Sequence, residues 1–381
     1  MAGVNVNPEI LQWAVDRSDK IHVVYQKFPN WLKWIEGESQ PTLKQLENLA
    51  KMTSTPLGYF FLNKPPVEQL PIPYFRTINS KNQSIAPSPE LLDTVQMMER
   101  RQEWMHEYLL NQSYDYLQFV GSKRINDDPI QIAKEIKDTL GLKDGWAVNI
   151  RTWQEALRLL FKKIDDARIL LVVNGVVGNN THRKLNVNEF RGFVLIDEYA
   201  PLIFINGADG KAAQMFTLAH ELAHIWFGTS AAFDLRELQP AYNQTEIVCN
   251  KVAAEFLVPE AELKKVWISI KDNINPFQDL ARQFKVSEIV AARRALDLQL
   301  ITKSQFFEFY NKRIQIDANE SSSGGNFYST QTFRIGRRFA ETIIIAAKEG
   351  KILHNEAYRL TGLNGSTFSE FASRLGFGGD V

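Results

Sequence analysis

A single cysteine, Cys249, stands in 381 residues. It excludes an intrachain disulfide framework and fits a reducing compartment, so cytoplasm is the expected location. Excess charge is lacking too, because 44 Lys and Arg offset 44 Asp and Glu. Bulk charge therefore predicts no polyanionic partner, and any DNA binding has to rest on a local patch. Long apolar runs are missing: no stretch approaches the roughly 18 uninterrupted residues of a membrane span. The start, MAGVNVNPEILQWAVDRSDK, has no basic segment leading into an apolar one. The expectation is a chain neither secreted nor membrane-inserted. Low complexity is confined to ANESSSGGN at residues 318–326, which reads as a flexible linker, and no internal repeat is visible.

What is present is ordinary globular material, 44% hydrophobic and 23% charged, which argues against a disordered or fibrous chain. The length calls for two or three domains. Residues 1–65 read as four or five short helices forming a small bundle. Trp31, Leu32, Trp34, Ile35, Leu43, Leu46 and Leu49 supply the apolar spacing of its core. The proline-rich PPVEQLPIPYF then interrupts any helix. Residues 66–135 read as linker and helical shell, with Ser88 and Asp128 as helix N-cap candidates. Within residues 136–317 the helix TWQEALRLLFKKI precedes short runs rich in branched and aromatic residues, ARILLVVNGVV, FRGFVLIDEY and PLIFING, which predict a small sheet. Helices are expected from about Lys211 to Phe227 and from about Gln244 to Leu257. Residues 318–381 add two or three amphipathic helices separated by Gly350 and Gly362. The fold class is α+β, mostly helical.

Chemistry concentrates on the helix AAQMFTLAHELAHIWFG. Residues i and i+4 share a helix face, so His220 and His224 can direct two imidazoles at one metal ion, with Glu221 beside them. This HExxH spacing is that of zinc peptidases, in which the ion activates water and the carboxylate acts as general base. A third ligand is open between Glu246 and Glu255, both on the following helix. Glu246 has Asn250 one turn later to hydrogen-bond a ligating imidazole. The run FRGFVLIDEYAPLIFING offers an edge strand for an extended peptide. His182 and Tyr242 are loop residues that can reach a developing oxyanion, and Cys249 reads as a small buried apolar residue.

On FTLAHELAHIWFG, EIVCNKVAAEFLVP and FRGFVLIDEYAPLIFING the chain resembles the ImmA/IrrE family of bacterial and phage metallopeptidases. The longer members carry an N-terminal Xre-like helix-turn-helix, and residues 1–65 are similar to that region. GGNFYSTQTFRIGRRFA looks like the family's C-terminal segment. The resemblance implies a gluzincin-like domain with zinc at His220, His224 and Glu246, and Glu221 as catalytic base. It implies a cytoplasmic endopeptidase acting on a protein regulator, a helix-turn-helix repressor or an antitoxin, with a toxin as a further partner. Residues 1–65 would then be the DNA-contacting part. Their nearly balanced charge, and Trp31 and Trp34 where base-contacting side chains are expected, fit a structural or protein-interaction element equally. The alternative class is a DNA-binding regulator or antitoxin-like protein whose metal site is structural and does not turn over.

Overall fold

The structure, a computed structural model, describes residues 3–68, 70, 87–233, 244–317 and 327–378. They fall into two compact units, residues up to 70 with 87–96, and residues 97–378. The fold is α+β and mostly helical.

In the first unit α1 (Pro8–Ser18), α2 (Ile21–Lys27), α3 (Trp31–Ile35), α4 (Leu43–Thr53) and a 3-10 turn at Leu57–Phe61 enclose one small core. Local signals set the helix starts. Asn7 caps α1 ahead of Pro8, and Thr42 and Gln45 close a reciprocal capping box on α4. Trp31 and Trp34 are buried edge to face, with ring centroids 6.3 Å apart, so both serve packing. Leu32 and Leu43, expected in this core, are 54% and 48% exposed. Helices of five and eleven residues leave the phase of an apolar stripe poorly defined at their ends. The next helix, α5 (Pro89–Asn111), belongs to this unit as far as Gln96.

The second unit continues α5 and adds α6 (Pro129–Thr139), α7 (Trp153–Asp166), β1 (Leu170–Asn174), β2 (Val176–Val177), β3 (Asn180–Lys184), β4 (Gly192–Leu195), β5 (Leu202–Asn206), α8 (Lys211–Phe227), β6 (Ala231–Phe233) and α9 (Gln244–Leu257). After these come α10 (Glu260–Ile270), α11 (Pro276–Phe284), α12 (Glu288–Asp297), α13 (Lys303–Asp317), α14 (Phe327–Ile335), α15 (Arg337–Lys348), α16 (His354–Thr361) and α17 (Gly365–Arg374). Ser88 and Asp128 act as the expected caps, accepting from the Leu91 and Ile130 N–H groups at 3.1 Å each.

The main sheet has the order β1-β5-β4-β6, with β1 parallel to β5 and the other pairs antiparallel. Strands β1, β4 and β5 are buried throughout, so they read as unbroken apolar runs rather than alternating ones. Alternation still sorts their side chains. Leu171, Val173, Val194, Ile203 and Ile205 join the large core with α7, α8 and α9. Phe193 and Phe204 stack 4.9 Å apart outside that cluster.

The C-terminal helices are tied in by backbone contacts. Gly336, at φ 89°, opens α15 where an added Cβ would lie 2.8 Å from the Leu171 carbonyl oxygen. Only glycine fits that angle and that space. Arg101 of α5 is buried and donates to the carbonyls of Leu360 at 3.0 Å, Arg334 at 3.2 Å and Ile335 at 3.3 Å. One guanidinium thus closes the ends of α16 and α14, where helix dipoles favour a cation. Burial, with the neighbouring charge of Arg100, pushes its pKa down to about 10.

Asp165 at the end of α7 meets the start of α15. Burial first, then the charges of Glu341 and Asp166, push its carboxyl up to about 7 against the pull of Arg337 and Arg338. The folded form keeps a proton that the unfolded chain loses from about pH 4 upward, so this group's contribution falls between about pH 4 and 7 and stays low above. Asp165→Asn should flatten that slope and raise stability above pH 7 by up to about 4 kcal/mol. Urea denaturation across pH 4–8 checks this, and an unchanged slope in the variant would refute the assignment.

Candidate metal centre

All fourteen residues of α8 from Gln214 to Phe227 are buried. Such a helix needs cover on every side, and the cover fixes its position. Strands β4 and β5 pack on one flank, and α6, α7 and α9 on others. Gly192 of β4 is forced: a Cβ there would come 2.7 Å from Thr217 Cγ2, 2.9 Å from the Phe204 carbonyl and 3.3 Å from Glu221 Oε1. At the far end Gly228, at φ 66°, terminates the helix. The segment before α6 caps it, with Gly121 and Lys123 donating to the carbonyls of Ile225 and Trp226 at 2.9 Å each. Phe119 stacks on Trp226 at 4.6 Å.

This rigid seat brings His220 and His224 against α9. Their Nε2 atoms lie 3.1 Å apart. Glu246 places Oε2 3.0 Å from His220 Nε2 and Oε1 3.2 Å from His224 Nε2. The outer ring nitrogens have separate partners, His220 Nδ1 with Asn250 Oδ1 at 3.0 Å and His224 Nδ1 with Thr229 Oγ1 at 3.0 Å. When each Nδ1 carries the proton it donates, both Nε2 atoms turn lone pairs inward. Burial pushes His220 down, outweighing the opposing pull of Glu246, and so keeps it neutral. Burial resists ionisation of Glu246 as well, yet the two imidazoles facing it outweigh burial and hold the carboxyl well below its usual range. Two imidazoles and a carboxylate favoured as the anion thus converge, with ligand atoms all within 4.8 Å of one another. Acceptors crowded in a buried site need a cation, and a His2Glu donor set fits a divalent ion of intermediate softness.

Glu221 is wholly buried, and among the described residues neither of its carboxylate oxygens has a hydrogen-bond partner. Burial, and next the charge of Glu246, push its pKa well above the usual value. Two carboxyl groups of one site are therefore driven apart, Glu246 towards the anion and Glu221 towards the acid. Cys249 is buried, and desolvation with the same two charges raises its thiol, which makes it unreactive packing.

Of the two third-ligand candidates, the structure gathers Glu246. Glu255 instead pairs with Arg294 of α12 and accepts from the Glu260 N–H at 3.3 Å. His182 is exposed on β3 and outside the cluster, and Tyr242 lies outside the described residues. The edge-strand expectation is corrected. β5 lies between β1 and β4, and β4 carries β6 on its other side, pairing Gly192 with Phe233 and Val194 with Ala231. Thr229 was missed by sequence reasoning. Its signal is its place directly after the helix-ending glycine, within reach of the last histidine.

Residues 177–296 match the family model of the IrrE N-terminal-like domain, peptidase M78. The matched span holds β2 to β6 and α8 to α12, with the His-His-Glu cluster inside it, and it supports a metallopeptidase-type function. Residues 335–374 match a second model, a domain of unknown function. No curated protein and no solved structure matches the chain. No helix among the described residues is long and apolar enough to cross a membrane.

Gly192→Ala tests how tightly β4 is seated on α8. With contacts of 2.7 Å and 2.9 Å to relieve, the variant should lose about 1–3 kcal/mol of stability. A urea midpoint equal to that of the parent protein would show that β4 is free to yield.

Proposed function

We propose that the chain is a zinc-dependent endopeptidase that cleaves a protein regulator, a helix-turn-helix repressor or an antitoxin. The observation that carries the reading is the inward convergence of two imidazoles and one carboxylate, with Glu221, its pKa raised by burial, beside them. The peptidase-family match over the same residues supports it, and the substrate class follows from the resemblance to the ImmA/IrrE family. Zinc bound by His220, His224 and Glu246 would supply Lewis acidity to a scissile carbonyl and to water. Asn250 and Thr229 hold the two rings in the tautomer that such binding needs. Glu221 is the proton carrier. A carboxyl raised by burial can take a proton from attacking water and return it to the departing amine near neutral pH. Phe216, Leu218, Leu222 and Ile225 hold the helix in the core and so fix where Glu221 stands.

Metal analysis and a cleavage assay on candidate repressors encoded alongside the protein test this together. Glu221→Gln should keep one equivalent of zinc and lose cleavage by at least about a thousandfold. His220→Ala should lose the metal, and undiminished metal content in that variant would overturn the ligand assignment. Asn250→Ala should retain the fold while weakening zinc affinity by about 10- to 100-fold. Competition with a chelator measures it.

A further inference from the structure

Two places in the second unit join helices through three residues of which the first is left-handed. Lys285, at φ 56°, leads from α11 to Ser287, which caps α12. Gly362, at φ 70°, leads from α16 to Asn364, after which α17 begins. The middle residue of each turn, Val286 or Leu363, is buried and pins the second helix against the first. This helix, short turn and helix is the unit that sets one helix in a DNA major groove while the other crosses the backbone. Whether it can do so depends on the outer face of the second helix.

That face is closed on α12. Of its ten residues only Asp297 is exposed, Arg294 is engaged by Glu255, and α13 packs along it. On α17 it is open. Phe368, Phe371 and Ala372 turn inward, Phe368 meeting Tyr358 of α16 edge to face at 5.4 Å. Ser366, Glu370, Ser373 and Arg374 are exposed, with Thr367 and Ser369 half-buried beside them. Short hydroxyl side chains let a helix backbone approach base edges closely and can donate or accept there. The first turn of α17 holds no acid, and Glu370 is paired with Arg374 at 2.8 Å. Exposed Arg359 lies on α16, while Lys348 donates to the carbonyls of Phe377 and Gly378 and Lys351 is paired with Glu349 and bonded to Gln112. Residues 335–378 carry six basic and four acidic side chains in a chain whose total is balanced, with Arg337 paired to Glu341 and Arg374 to Glu370, a small local excess of the sign that phosphates attract.

We propose that residues 335–374, the matched domain of unknown function, bind duplex DNA with the outer face of α17 in the major groove and with Arg359 on a phosphate. The inference is independent of the metal centre. The full-length protein is titrated into a fluorescent random-sequence duplex at low salt, about 50 mM, and the titration is repeated as salt rises. Binding is expected, and it should weaken steeply with salt. Ser366→Glu with Ser373→Glu places two charges on the outer stripe without touching the buried side, and should reduce affinity at least about tenfold. Arg359→Ala, at an exposed position that does not contribute to packing, should lower the salt slope by about one. Circular dichroism and zinc content should match the parent in both variants. Lys27→Glu with Lys33→Glu in the first unit should leave binding unchanged. Three results would each overturn the proposal: no duplex binding at low salt, binding indifferent to both the α17 pair and Arg359→Ala, or binding lost with the Lys27 and Lys33 pair, which would put DNA on the first unit.

Discussion

The second unit depends on covering a helix that has no solvent face. Once α8 is buried along fourteen residues, its polar side chains become the problem that the surroundings solve. Gln214 donates to the carbonyls of Gly207 at 3.3 Å and Asp209 at 2.7 Å, which fixes the helix start. The two histidines reach Asn250, Thr229 and Glu246. Thr217 Oγ1 and both oxygens of Glu221 have no hydrogen-bond partner among the described residues. These leftover polar atoms sit on the turn next to β4, and in a buried setting such groups mark where a protein keeps capacity for something other than itself.

Electrostatics divides the two carboxylates by their neighbours rather than by depth. Both are almost fully out of water. Glu246 has two imidazoles in front of it and is stabilised as an anion, whereas Glu221 faces a glycine strand and the charge of Glu246, and is stabilised as an acid. The hydrogen bonds at the outer ring nitrogens hold both rings in place before Glu246, which gives Asn250 and Thr229 their weight.

Much of this was legible in the sequence. The limits of α8 and α9 follow from apolar spacing closed by Gly228 and Pro259, and the i,i+4 histidines declare themselves. The ambiguity between Glu246 and Glu255 has a helical explanation. Nine residues at about 100° each turn through two and a half revolutions, so the two carboxylates point to opposite sides of α9 and only one can meet the imidazoles. Asn250 shares the Glu246 face, which was the available hint. The pairing of Glu255 with Arg294 brings together residues from α9 and α12, and nothing local announces it. Strand β6 escaped notice because three residues cannot display alternation. The hairpin of β2 and β3 escaped notice because β2 is the two-residue tail of an apolar run that Gly175 divides, and β3, NTHRK, is polar and largely exposed. The exposure of Leu32 and Leu43 shows the converse, that an apolar residue on a very short helix or at a helix end carries little information about which way the core lies.

The donor atoms come from two helices in succession, and each ring is held by a residue beyond its own turn. During synthesis the histidine pair therefore exists before the carboxylate that completes it, and before Asn250 has fixed one tautomer. A divalent ion meeting the emerging chain would find two loosely oriented nitrogens, and the full set only after α9 has docked against α8. Capture of an ion there would then be a closing event in the chain's maturation, and the ion content of a preparation would record how many molecules had finished folding.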